Sequence, residues 1–297
     1  MNRLLSKITL AAAIIASAVT QSNAKDITAN LKQDLKRLDS SEIEEIRLNE
    51  LTVQGNMADD LAATTTTTRT VNVKSAFKGL EVSGLVSVEL KQGRNTKVEI
   101  VAAPEDIDKT VVEVGKSVLN IYNSNLSNSN NRKILVKVTM PEINSIEFSG
   151  VTSLKVLTDL QCDKLEVEGM GATSMTFQGI SCKNLELEMS GAANCHIAKV
   201  DVTKCDMDFS GAANVTVDHT TGSDIEIESS GAALTKVYDI NCNNLDCEAS
   251  GASNVHLTGK CTNLKAEASG AANLNFKNKL TVSGSKSTQL FGAANIN

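Results

Sequence analysis

Ser190-Gly191-Ala192-Ala193-Asn194 is one copy of a motif that returns down the whole C-terminal half of the chain. Its glycine recurs at Gly150, Gly171, Gly191, Gly211, Gly231, Gly251, Gly270 and Gly292, at intervals of 19 to 22 residues. A period of this length marks a repeat architecture, in which each copy is one structural unit stacked on the next. Aligning the copies on the glycine sorts the residues into columns. Six positions before it stand Leu165, Leu185, Cys205, Ile225, Leu245 and Leu264, and four before it Val167, Leu187, Met207, Ile227, Cys247 and Ala266. Four after it stand Leu154, Met175, Cys195, Val215, Thr235, Val255 and Leu274, and six after it Val156, Phe177, Ile197, Val217, Val237, Leu257 and Phe276.

These columns alternate with polar ones at period two on both sides of the glycine, so each repeat reads as two short strands joined at a small-residue corner. A third segment returns the chain to the next copy. About 20 residues per coil, with no stretch long enough for a helical crossover, predicts an all-β fold: a right-handed parallel β-helix, a single-stranded solenoid. Glycine supplies the bend, and small neighbours let adjacent coils approach at sheet spacing. Three residues after the corner, Asn194, Asn214, Asn254, Asn273 and Asn295 form a column suited to a stacked amide ladder.

The N-terminus has a different character. Arg3 and Lys7 precede an apolar run over residues 8–19 and the small-residue site Ser22-Asn23-Ala24, the layout of a signal peptide over residues 1–24. The run is too short for a membrane span, so the mature chain is expected to carry none. Residues 25–68 read as an extension or linker, with Ile27, Leu31, Leu35 and Leu38 at helical spacing and the run Thr64 to Thr68 as a linker or lead-in strand. Short strands punctuated by Gly79, Gly84, Gly93 and Gly115 then begin the solenoid domain, 69–297, whose clearest repeats span 146–297. The repeat runs to Phe291-Gly292-Ala293-Ala294-Asn295 without an evident capping segment. An exposed sheet edge there calls for a cap from the N-terminal segment or for end-to-end association of copies.

Composition narrows the function classes. Between residues 150 and 297 there are 11 Lys, no Arg and 17 Asp plus Glu, a balance equal to the whole chain's formal charge of −6. Nucleic acid is excluded as a partner, because phosphate binding needs clustered Lys and Arg. Aromatics make up 3% of the chain and Trp is absent, which removes most platforms for stacking sugar rings.

The outward columns hold the candidate site. Three before the glycine stand Glu147, Glu168, Glu188, Asp208, Glu228, Glu248 and Glu267, and five before it Glu166, Glu186, Asp206, Glu226 and Asp246, then Lys265. Carboxylates stacked about 4.8 Å apart repel one another. Such a face is tolerated in water, binds cations, with Ca²⁺ the natural candidate for oxygen-only ligands, or meets a cationic partner. The seven cysteines fall in inward columns (Cys195, Cys205, Cys247) or nine before the glycine (Cys162, Cys182, Cys242, Cys261). They read as buried thiols, with Cys162–Cys182 and Cys242–Cys261 as possible disulfides in an exporting context. Catalysis has little support: His196 and His256 share an outward column but are separated by two copies carrying Thr216 and Lys236, and no nucleophile motif or phosphate loop occurs.

Phe77-Lys78-Gly79-Leu80-Glu81-Val82-Ser83-Gly84, with Val86-Ser87-Val88-Glu89-Leu90, Leu119-Asn120-Ile121 and the repeated Ser-Gly-Ala-Ala-Asn corners, resembles the head GIN domain of auto-transporter adhesins from Bacteroidetes. The resemblance implies an exported β-helical domain and brings no catalytic residues with it. The expectation is therefore an exported, non-enzymatic β-solenoid that binds a protein or glycan surface ligand or serves as a surface-structural module. The rivals are a polysaccharide-active enzyme on the same scaffold and a cation-stabilised spacer.

Overall fold

The computed structural model describes residues 66–73, 75–123, 134–276 and 279–297. The signal peptide expected over 1–24 and the helical stretch expected at 27–38 lie outside them. From residue 150 onward the chain is a parallel β-solenoid in the register of the repeat. Leu165 pairs with Leu185, Leu185 with Cys205, Cys205 with Ile225, Ile225 with Leu245 and Leu245 with Leu264. The four inward columns are buried throughout these rungs and merge into one continuous core. Thr235, the one hydroxyl among them, is fully buried and is matched by Ser229, whose Oγ lies 3.1 Å from its Oγ1.

The corner shows why the repeat is so strict. Gly191, Gly211, Gly231, Gly251 and Gly270 have φ between 67° and 77°, and a Cβ on Gly211 would stand 2.8 Å from the carbonyl oxygen of Gly191. The backbone ladder runs unbroken through the bend: Ser210 donates to Met189 (2.9 Å), Ala212 to Gly191 (2.8 Å) and Asn214 to Ala193 (2.8 Å). A side chain at the glycine would therefore clash with a rung that the hydrogen bonds hold in place. In the upper rungs the asparagine ladder forms as expected, Asn273 Nδ2 donating to Asn254 Oδ1 (3.3 Å) and Asn295 Nδ2 to Asn273 Oδ1 (3.2 Å). A second polar ladder stands seven before the glycine, where Asn244 donates to Asp224 (2.6 Å) and Asn263 to Asn244 (2.9 Å).

The N-terminal part departs from a simple parallel coil. It comprises β1 (Thr67–Val71), β2 (Gly79–Ser83), β3 (Leu85–Gln92), β4 (Lys97–Ala102), the single-turn helix α1 (Pro104–Ile107), β5 (Thr110–Gly115), β6 (Val118–Asn123) and β7 (Leu135–Met140). Gly84, with φ 93°, is another corner, and β2 and β3 are the rung beneath Gly150. The chain then passes below itself: β6 and β7 form a further parallel rung under β2 and β3. Around that rung the pairing turns antiparallel, β4 against β7, β1 against β4 and β5 against β6. This antiparallel rim differs from the all-parallel expectation for 69–297. A parallel stack can end by reversing strand direction, and Val98, Ile100 and Ile107 close the core there. Thr67 and Thr68 belong to β1, so the end of the threonine run is the lead-in strand.

At the other end the strand Lys286–Leu290 is exposed along its length and pairs only with the rung beneath it. Its inward positions carry Lys286 and Thr288 where other rungs carry aliphatic residues, and the Lys286 ammonium lies 4.8 Å from the centre of the Phe276 ring. Lys286 thus puts a charge over the end of the core, while Leu290 and Phe291 beside it remain exposed as an apolar edge.

Two outcomes follow, one from the corner and one from the C-terminal rung. Gly211→Ala is expected to cost about 2 kcal/mol or more, from a strained φ and a backbone clash, whereas Ala212→Ser, on the exposed side of the same corner, stays within about 0.5 kcal/mol. Denaturant melts of the two variants check this. Lys286→Leu should raise self-association at a fixed concentration, read as weight-average mass by light scattering.

Candidate functional site

Because the strands stack in register, the outward columns become straight rows. The row three before the glycine runs Glu81, Glu147, Glu168, Glu188, Asp208, Glu228, Glu248 and Glu267, one carboxylate on each successive rung. Glu81 was not among the residues expected, since the insertion between Gly84 and Gly150 breaks the period. The signal was present in Glu81-Val82-Ser83-Gly84, which matches Glu147-Phe148-Ser149-Gly150. Neutral side chains bracket the row, Asn120 beside Glu81 and Gln289 beside Glu267. The second row, Glu166, Glu186, Asp206, Glu226 and Asp246, stands beside it on the same sheet and ends at Lys265.

Two lysines pair with part of this face, Lys164 at the start of the second row and Lys265 at the C-terminal end of both rows. Lys164 Nζ lies 2.6 Å from Glu166 and 3.0 Å from Glu186, and it holds the Glu166 carboxyl below the usual range. Lys265 reaches three carboxylates, Asp246 and Glu248 at 3.1 Å and Glu267 at 3.2 Å. Among the described residues the rest of the main row, Glu81, Glu147, Glu168, Glu188, Asp208 and Glu228, has no ion-pair partner, and neither do Asp206 and Glu226 beside it. Burial pushes the Glu188 carboxyl up, and Glu168, Asp208, Glu186 and Asp206 add to it. Glu228 is raised by burial and then by Asp208, Glu248, Glu226 and Asp206. Glu168 is raised by burial, then by Glu147 and Glu166.

Parallel side chains on a flat sheet diverge from one another rather than converging on a point. Among the described residues no three His, Cys, Asp or Glu side chains come together as metal ligands. A depression of ≈ 270 Å³ on this face is lined by Lys164, Asn184, Leu185, Glu186, Lys204 and Asp206. That is below the roughly 300–1,000 Å³ of sites that bury small ligands. The face is suited to contact with an extended surface.

The other main sheet carries the histidines. His196 and His256 do share a column, and two rungs lie between them, so they stand three steps or about 14 Å apart. Each of two histidines instead meets an aspartate one rung on: His196 Nε2 lies 2.8 Å from Asp218 and His219 Nδ1 3.0 Å from Asp239. His256 is held below the usual range by burial and by Lys236 and Lys279. All seven cysteines are free thiols in this structure; burial pushes Cys195 up to about 12 and raises Cys205 and Cys247 further.

A rigid parallel solenoid with flat outward rows and small-residue corners defines a class of repetitive scaffold. Within that class the chain belongs to the family described as "putative auto-transporter adhesin, head GIN domain", whose model matches residues 76–239 and 205–288. The family implies an extracellular or surface location. No curated protein matches the chain. Among solved structures, it is similar to a putative adhesin from Parabacteroides distasonis (TM-score 0.67, 18% identity, 77% of this chain and 98% of that one). It is also similar to a putative adhesin from Parabacteroides merdae (TM-score 0.66, 15% identity, 78% and 95%). A putative lipid binding protein from Parabacteroides distasonis has the same fold (TM-score 0.64, 16% identity, 78% and 96%). Among the described residues no helix is long and apolar enough to cross a membrane.

The raised carboxyls give a pH prediction with a definite sign. A folded-state pKa above the unfolded one means that ionisation opposes folding. The cost is fully present above the folded pKa and is lifted as pH falls through the carboxylate range. Glu188→Gln should therefore stabilise the protein at pH 7, by about 0.5 kcal/mol on the scale of exposed charge pairs. The gain should vanish in melts below the carboxylate range, where Glu188 is already protonated.

Proposed function

We propose that the protein is an exported, non-enzymatic binding module of the adhesin-head type, and that its acidic sheet is the contact surface for a cationic partner on a protein or glycan. The observation that carries this reading is the run of ladder carboxylates without an ion pair, densest where Glu188, Asp208 and Glu228 stand beside Asp206 and Glu226. Opposite-charge contact relieves a repulsion already present in the free protein, and the rigid sheet holds the carboxylates in place, so little ordering opposes binding. Membership of a family described as adhesin heads, and an extended face in place of an enclosed cleft, support the same reading. The partner need not be small or concave; it needs spaced positive charge.

Immobilised protein presented with a lysine-rich polypeptide and with an anionic polysaccharide tests the reading. Binding is expected for the polycation only, weakening as salt rises. The triple variant Glu188→Gln, Asp208→Asn, Glu228→Gln should bind at least about tenfold more weakly, a loss of about 1.4 kcal/mol. Equal binding by the wild type and the triple variant would remove the acidic sheet as the contact surface.

A further inference from the structure

Seven cysteines serve no role in the acidic face, and two of them differ from the rest. Cys195, Cys205, Cys242, Cys247 and Cys261 are buried, whereas Cys162 and Cys182 are partly exposed. These two are also neighbours. The parallel register pairs Gln161 with Ser181 and Lys164 with Asn184, which brackets Cys162 against Cys182 on the adjoining rung. Backbone bonds fix the bracket on both sides, Cys162 N–H donating to Ser181 (3.2 Å) and Lys183 N–H to Asp163 (3.0 Å). The Cα atoms of such a pair stand about 4.8 Å apart, inside the roughly 4.4–6.8 Å that disulfides span. Cys162 follows the two-residue strand Leu160–Gln161 and precedes Lys164–Gly169, so it sits at a corner where no strand pleat sets its side-chain direction.

We infer that Cys162 and Cys182 are a redox site that closes into an inter-rung disulfide when the protein meets a disulfide oxidant. The thiol chemistry is already arranged for it. The Cys182 thiol donates to the Asn184 carbonyl oxygen, 3.2 Å away, which holds its proton in place. The Cys182 side chain beside it holds Cys162 below the usual thiol range, while Cys182 is raised. Cys162 is therefore the attacking thiolate and Cys182 the resolving group.

The step balances as two exchanges with a small disulfide RSSR. The Cys162 thiolate attacks one oxidant sulfur, an S–S bond breaks, and RS⁻ leaves and takes up the proton that Cys162 gave up. Cys182 then loses its proton and attacks the Cys162 sulfur of the mixed disulfide, and the second RS⁻ leaves and is protonated. Two protein thiols are oxidised and one oxidant disulfide is reduced to two thiols. The product clips one whole coil of the solenoid, the one that carries Glu166 and Glu168, to the next, so that the rungs cannot unzip between them.

The test uses the full chain, reduced and then exposed to excess oxidised glutathione, with remaining thiols alkylated after denaturation and peptides mapped by mass. The expected result is a Cys162–Cys182 cross-linked peptide, a melting temperature several degrees above the reduced form, and reversal by dithiothreitol. Cys182→Ser should leave a stable glutathione adduct on Cys162, because the resolving thiol is gone; Cys162→Ser should carry no adduct on Cys182. Recovery of both thiols alkylated, separate adducts on each, or pairing of either with another cysteine would overturn the assignment. The melting curves of the two serine variants, compared with the reduced wild type, separate a failure to fold from a failure to cross-link.

Discussion

Everything in this molecule rests on one close approach, that of each corner glycine to the glycine of the rung below. The amide after Gly211's corner bonds to the carbonyl of Gly191 at 2.8 Å, and the distance leaves no room for a Cβ. Because the hydrogen bonds continue around the bend, neighbouring rungs cannot slip relative to one another. Register is then fixed for every column at once, inward and outward. Inward, this aligns mainly aliphatic residues into one continuous core. Outward, it aligns whatever charge the sequence places in a column, which is how a periodic glutamate becomes a straight row of carboxylates.

A stack held in this way has to end somewhere, and the two ends use different physics. At the N-terminal end strand direction reverses, and β1, β4 and β5 form an antiparallel rim around the first rungs. At the C-terminal end strand direction is kept and the side chains change: Lys286 and Thr288 replace aliphatic residues, and Ser287 and Gln289 replace the acidic columns. The last rung thus differs from the others on both of its faces.

How much of this was legible in the sequence depended on whether a residue's neighbours are set by the period. Stacking forces the same chemistry into the same column, so the inner columns, the corner and the seven expected ladder carboxylates could be read by alignment alone. The antiparallel rim could not, because β4, β5 and α1 lie in an insertion with no period, and their partners are fixed by tertiary packing. Gly84 and Glu81 were hidden by the same insertion, although their local sequence matched the rung of Gly150. The lysines that pair with part of the acidic face were missed for another reason. Lys164 stands in a different column from the glutamates it pairs with, and only its side-chain length brings it across. The His196–Asp218 contact likewise joins two columns on successive rungs, which no single column reveals.

The regular spacing of the ladder has a further consequence. Any partner that grips two adjacent rungs meets nearly the same chemistry one step along, because Glu188, Asp208 and Glu228 repeat at a constant rise with Asp206 and Glu226 beside them. Such a partner has several equivalent registers instead of one docked position. It can shift along the face by single rungs without letting go, so attachment becomes one-dimensional diffusion along a track whose length is set by the number of unneutralised rungs.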